Sequence, residues 1–263
     1  MTNKIRDPYT RRASIQRQLL LDGSVNVEAL ALELDVSVAT IRRDLTALED
    51  DGTVRRTHGG ATTTASRGAD QAFALRESID SEAKRLIAHA ALELVETDQT
   101  LFMNDGSTIL ALAKELLASD VSLTVVTPGI NIATILSESP RIDAYLAGGL
   151  VRHKNRGTVG SFVEEMLCQI NADVAFIAVE SISLNEGVTF SYETDAKIAR
   201  IMNKKAGKTV VLATARKLGQ LDRMTAFQTS DVDILITDCT DEDIIGAIRE
   251  LGISVIIASS KEH

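Results

Sequence analysis

The chain has 263 residues, 44% of them hydrophobic, which is enough to bury the core of one large domain and one small one. Its formal net charge of −9 excludes bulk attraction to nucleic acid, and no apolar run reaches the roughly eighteen residues that a membrane-spanning helix needs. Two cysteines, Cys168 and Cys239, lie far apart without CxxC spacing, so neither a disulfide framework nor a zinc site is expected.

The charge is uneven. Residues 1–68 hold ten Lys/Arg against nine Asp/Glu, a net +1, and the remainder of the chain carries −10. Any polyanion contact therefore belongs to the N-terminal part and depends on local placement. The opening stretch MTNKIRDPYTRR lacks the apolar segment of a signal peptide, so the expected compartment is the cytoplasm.

From Arg11, the apolar residues Ile15, Leu19 and Leu20 predict an amphipathic helix that ends at Gly23. Asn26 is placed to cap a second helix through Leu30, Ala31 and Leu34. Ser37 is placed to cap a third through Ile41, Leu45 and Leu48. Three short helices with a tight turn between the last two describe a helix-turn-helix. On the third, Thr40, Arg42, Arg43 and Thr46 fall off the apolar stripe, where a recognition helix presents side chains to the major groove. The stretch TVRRTHGGA then predicts a short strand and a Gly-Gly turn, the addition a winged variant makes. Arg55, Arg56 and His58 would reach phosphates or the minor groove from it. The competing reading is solvated surface charge, but cap position, arginine placement and the glycine-rich wing agree on DNA.

The whole stretch VSVATIRRDLTALEDDGTVRRTHGGA resembles the signature of the DeoR family of bacterial transcriptional regulators, matching nearly every specified position. The resemblance implies a winged helix-turn-helix, residues 1–61, that binds operator DNA through Ser37, Thr40, Arg42, Arg43, Arg55, Arg56 and His58.

Residues 62–81 are polar and lack sustained periodicity, so they are expected to connect two domains, with Phe73 and Arg76 left as docking candidates. From residue 82 onward, apolar β-rich runs alternate with helical segments, which predicts an α/β domain with a mostly parallel sheet covered on both faces. Ligands of such sheets bind beyond the carboxyl ends of the strands. Those ends carry NDGST (Asn104, Asp105, Gly106, Ser107, Thr108), Thr127, Gly148 with Gly149, Arg152, and Lys217. Glycines that admit an anion to helix N–H groups, beside cations from other strand ends, suit a phosphorylated ligand.

This half resembles the sensor domain of the same family, which is similar in fold to ribose-5-phosphate isomerase and coenzyme A transferases. Gly106, Ser107, Thr108, Thr127, Gly148, Gly149, Lys217 and Gly219 match its motifs. Asn104 replaces a usual Asp, TPGI replaces T-N-S-L, and AVESI, with Glu180, replaces a G-x-D-G-I run, so the family's common effectors are not assumed to fit. The resemblance implies a repressor of a carbohydrate operon, controlled by a phosphorylated sugar or related metabolite, and the usual symmetry of operators favours a homodimer or homotetramer. No metal or cofactor is expected, because the four histidines, His58, His89, His153 and His263, are scattered. The alternative is an isomerase-like enzyme with a DNA-binding appendage. A single acid, Glu180, in place of an acidic cluster argues against turnover. A purely architectural DNA binder would leave the large domain unexplained.

Overall fold

The computed structural model describes residues 7–22, 24–50, 54–57, 59–63, 67–152 and 155–259. It divides into two units, Met1–Ile79 and Asp80–His263. In the first, helix α1 (Pro8–Asp22) leads to strand β1 (Ser24–Asn26), α2 (Val27–Glu33), α3 (Val38–Asp50), β2 (Val54–Thr57), β3 (Gly60–Thr63) and α4 (Arg67–Ser78). Ile15, Leu19, Leu30, Ala31, Ile41, Leu45 and Leu48 form one buried cluster, the apolar stripe expected from spacing; Leu20 and Gly23 lie outside the described residues and side chains. The three strands pair antiparallel in the order β1-β3-β2. Gly60 sits where a Cβ would come within 1.8 Å of the Val25 carbonyl oxygen, so the wing closes on β1 only with glycine there.

The segment 62–81 is not the irregular connection its polarity suggested. Thr62 and Thr63 end β3, and α4 occupies most of the rest, lying against α1. Phe73 is buried, and the Arg76 guanidinium stands 5.8 Å from its ring centroid. With no proline and no glycine after Gly68, nothing in the stretch opposes a helix. The break comes instead at Asp80, which takes the left-handed conformation at φ 52°.

The second unit runs α5 (Ser81–Leu92), β4 (Thr100–Met103), α6 (Ser107–Ala118), β5 (Leu123–Thr127), α7 (Ile130–Leu136), β6 (Ile142–Leu146), β7 (Leu150–Arg152), β8 (Gly157–Val159), α8 (Ser161–Gln169), β9 (Ala172–Ala178), β10 (Ser181–Ser183), β11 (Gly187–Phe190), α9 (Glu193–Lys205), β12 (Ala206–Leu212), β13 (Met224–Phe227), β14 (Ile234–Thr237), α10 (Glu242–Glu250) and β15 (Ser254–Ile257). Seven strands form a wholly parallel sheet in the order β15-β14-β12-β9-β4-β5-β6. Covered on both faces, its central strands read as continuous apolar runs, as in Val174 to Ala178 of β9. An antiparallel sheet, β10-β11-β13, and the hairpin β7-β8 complete the unit.

The order fixes where a ligand belongs. The chain builds outward from β4 through β5 to β6, then returns to lay β9 on the other side of β4. Loops leaving β4 and β9 therefore diverge, and the crevice between them is the switch point at which open α/β sheets bind ligands.

Candidate DNA interface and effector site

In the first unit, the cap expected at Asn26 is present: its side-chain oxygen accepts from the Glu28 and Ala29 amides at 2.8 and 3.1 Å. Ser37 caps α3, its hydroxyl accepting from the Thr40 amide at 3.1 Å and lying 2.8 Å from Thr40 Oγ1. With Ile41 and Leu45 turned fully inward, Arg42 and Arg43 are exposed on the opposite face. Arg56 of the wing donates its amide to Glu49 Oε1 at 3.1 Å and its guanidinium to Thr46 Oγ1 at 3.2 Å, so α3 and the wing hold one another. Arg42 and Arg56 face a common cleft between the wing and the start of α2. The side chain of Arg55, and all of His58, lie outside what the structure describes.

Asp44, inside the same signature, does something else. It is 5% exposed, and it accepts from Arg11 Nε at 2.5 Å and from Arg11 Nη2 at 3.1 Å, with Arg12 Nε 3.9 Å away. A buried bidentate pair thus clamps α3 to α1 behind its exposed arginines. Spacing held the clue: Asp44 follows Ile41 by three positions and precedes Leu48 by four, on the buried stripe.

In the second unit, the strand-end residues sort into distinct environments. Asn104 is buried, donating from Nδ2 to the Ala178 carbonyl at 2.8 Å and accepting from the Ala178 amide at 2.9 Å. It joins β4 to β9 directly below the crevice, and its amide is occupied. Thr127 is fully buried, its hydroxyl accepting from the Gly129 amide at 3.0 Å, and Thr108 is 1% exposed. Gly106, at φ 135°, opens α6 without a side-chain cap, and Ser107 beside it is half-buried. Gly148 and Gly149 are exposed.

Arg152 pairs with Asp195 of α9, donates to Thr194 Oγ1 at 3.3 Å, and lies 5.0 Å over the Tyr192 ring. Burial works against its charge, but Asp195 and Asp105 outweigh burial and raise its pKa. Burial also pushes Asp105 up to about 7, with Asp195 adding to the rise and Arg152 and a hydrogen bond from Asn155 opposing it. Gly157 of the hairpin packs so closely that a Cβ there would fall 2.5 Å from Asp105 Oδ2. This acid, cation, acid arrangement brings together Asp105, which sequence placed at a strand end, and Asp195, which sequence did not single out.

Lys217 lies in a 3-10 turn, Ala215–Lys217, after β12, and its Nζ donates to the Val179 carbonyl at 2.5 Å. Burial first, then the neighbouring charge of Lys84, lowers its pKa to about 8 against the pull of Glu180. Glu180, immediately beyond β9, accepts from the Ser191 amide, and Ser191 Oγ donates to Asp222 at 2.7 Å. The crevice thus has a lysine-bearing end over β9 and β12 and an acid-rich end over β4. Among the described residues no cluster of His, Cys, Asp and Glu suits a metal ion, and no helix is long and apolar enough to cross a membrane.

Comparison with known proteins accords with this geometry. Residues 11–67 match the DeoR-like helix-turn-helix domain, and residues 79–239 match the DeoR C-terminal sensor domain. The HTH-type transcriptional regulator GolR of Listeria innocua is 35% identical over 88% of this chain and 91% of its own. The lactose phosphotransferase system repressor of Lactococcus lactis is 30% identical over 87% and 90% respectively. A solved ribose 5-phosphate isomerase from Methanocaldococcus jannaschii shares 15% identity over 54% of this chain and 56% of that one, at a TM-score of 0.40, too distant to carry an argument about activity. Close relatives are regulators rather than enzymes. With a helix-turn-helix whose arginines face outward and a sensor-domain match that takes in every strand of the parallel sheet but β15, the chain belongs to the DeoR family of transcriptional regulators.

Proposed function

We propose that this regulator represses a carbohydrate-metabolism operon in the cytoplasm, and that a phosphorylated sugar or related metabolite sets its affinity for operator DNA. α3 carries the base-reading face, with Ser37, Thr40, Arg42 and Arg43, and the wing adds Arg55, Arg56 and His58. Operators read by such helices are two-fold symmetric, which calls for a homodimer or homotetramer.

The observation that carries the effector reading is the switch point of the sheet beyond β4 and β9, where Lys217 Nζ meets the Val179 carbonyl and Gly106 lies against Ala178. Lys217 favours an anion, while Asp105 and Arg152, beyond β4, offer hydroxyl-binding groups. Asn104 and Thr127 serve by holding the surrounding main chain, and Gly149, where a Cβ would fall 2.7 Å from the Val159 carbonyl oxygen, lets the β6 to β7 connection approach β8. The lactose repressor relative supports a sugar-derived signal.

The test is fluorescence anisotropy of operator DNA with the full chain, titrated with a panel of sugar phosphates. One of them should change operator affinity, and Lys217→Ala should lose that response, because removing a charge-assisted hydrogen bond lowers ligand affinity by about ten- to a hundredfold. A ligand shifts conformations only through its differential affinity, so an equal response of mutant and wild type would remove Lys217 from the site.

A further inference from the structure

We propose that Lys84 and Thr214 join Lys217 to form the phosphate end of the effector crevice, which fixes the ligand's orientation: phosphate over β9 and β12, hydroxylated chain toward Asp105 and Arg152. This rests on the reading that the crevice binds a phosphorylated sugar, and adds to it two residues and a direction.

Lys84 is 6% exposed, an unusual state for a lysine on an otherwise amphipathic helix. Its position follows from an ion pair one turn earlier. Asp80, at the start of α5, meets Arg216 at 3.2 Å, and this pins the first turn of α5 beside the turn that carries Lys217. Lys84, four residues on, lies on the same face of the helix, which packs against β12 and β14. Burial first, and then the positive charge of Lys84, lower the pKa of Lys217, so the two cations act on one another. A phosphate seated beside both relieves that repulsion and stays charge-paired out of water.

Thr214 points to the same place. It is 1% exposed, its main-chain oxygen accepts from the Lys217 amide at 2.9 Å, and its hydroxyl has no hydrogen-bond partner among the described residues. A buried hydroxyl left unpaired is rare enough to need a reason, and an acceptor oxygen bound at this turn supplies one.

The other end repels a dianion. There Asp105 and Asp195 flank Arg152 and compensate its charge, so the cation that sequence spacing offered to a phosphate is already engaged. Carboxylates beside a guanidinium suit hydroxyl groups instead. Only β9 separates β12 from β4, so the two ends lie about 10 Å apart at ordinary strand spacing, a length that a short phosphorylated polyol spans.

Calorimetry on the full chain with inorganic phosphate and with a hexitol phosphate tests both parts. Inorganic phosphate should bind, and Lys84→Gln should weaken it about tenfold while Lys84→Arg recovers most of the loss. Thr214→Val removes the hydroxyl at constant shape and charge and should weaken phosphate several-fold, which keeps the test open if Lys84→Gln does not fold. The hexitol phosphate should bind more tightly than phosphate alone, and Asp105→Asn should erase that margin without weakening inorganic phosphate. Wild type that ignores phosphate, or Lys84→Gln and Thr214→Val that bind it unchanged, would overturn the assignment. Phosphate lost through Arg152→Gln but not through Lys84→Gln would reverse the orientation. If phosphate binds as described yet no sugar phosphate alters operator binding, the regulatory reading fails and the site stands; if sugar phosphates still act fully on Lys84→Gln, this inference fails alone.

Discussion

Asp44→Ala should disable the DNA-binding unit without touching a residue that faces DNA. The carboxylate is 5% exposed and takes two hydrogen bonds from Arg11, whose side chain is itself 7% exposed. Truncation strands a buried guanidinium, and breaking such a pair costs about 3–5 kcal/mol. A unit ending at Ile79 has a total stability of roughly 4–12 kcal/mol at the usual range per residue, so the loss is a large share of it. Each kcal/mol moves the midpoint of so small a unit by about 4–8 °C, so its melting transition should fall by about 12–40 °C. Scanning calorimetry of the full chain reads this as a separate shift, with the sensor transition in place. Replacing both partners, Arg11→Met with Asp44→Leu, should recover much of the loss, because two apolar side chains leave no charge unpaired. If Asp44→Ala melts within about 1 kcal/mol of wild type, the clamp contributes little and α3 is held by its apolar stripe alone.

Arg43→Ala should do the reverse: the melting transition stays within about 0.5 kcal/mol, since the side chain is exposed, while operator affinity falls. A salt titration by anisotropy separates the causes, because loss of a phosphate contact flattens the salt slope by about one unit, whereas loss of a base contact erodes discrimination by about 1–3 kcal/mol. Wild-type affinity across the titration would refute the outward assignment of α3. Asp105→Asn should stabilise the sensor unit at pH 8 and do so progressively less as pH falls toward 4. The carboxyl titrates at about 7 when folded against 3.8 as a free group, so its contribution is fully present below about pH 4 and is lost as pH rises through 7. Denaturant midpoints from pH 4 to 8 measure this, and a difference independent of pH would sink it.

Much of the architecture was legible because burial on both faces writes itself into composition. The central strands of the parallel sheet read as apolar runs, as in Val174 to Ala178 of β9, because no polar residue need interrupt a strand with no wet face, whereas the edge strand β6 carries Asp143 and leaves Tyr145 and Leu146 exposed. The short strands outside that sheet escape this logic. The hairpin LVR with GTV, and the small sheet from SIS, GVTF and MTAF, hold too few residues for periodicity, and their pairings depend on distant partners. The helix of residues 67–78 was missed for a related reason: its evidence is a packing surface on α1, which polarity alone does not disclose.

The sites divide along the same line, between what a residue type offers and what its surroundings leave available. Sequence identified Arg43 and Lys217 because a cation beside an apolar stripe or a strand end is a local pattern. It identified Arg152 for the same reason, yet Arg152 is engaged by an aspartate 43 positions away. Asn104, expected at the effector, has its amide engaged by Ala178, 74 positions on. Lys84 gave no local signal, being one cation in a helical stretch where lysine ordinarily faces water; only the packing of α5 on β12 and β14 buries it. Charge compensation and burial are properties of pairs brought together by the fold. A strand-end cation read from sequence therefore names a candidate, and the partner it meets decides whether it is left to bind a ligand or is committed to holding the protein together.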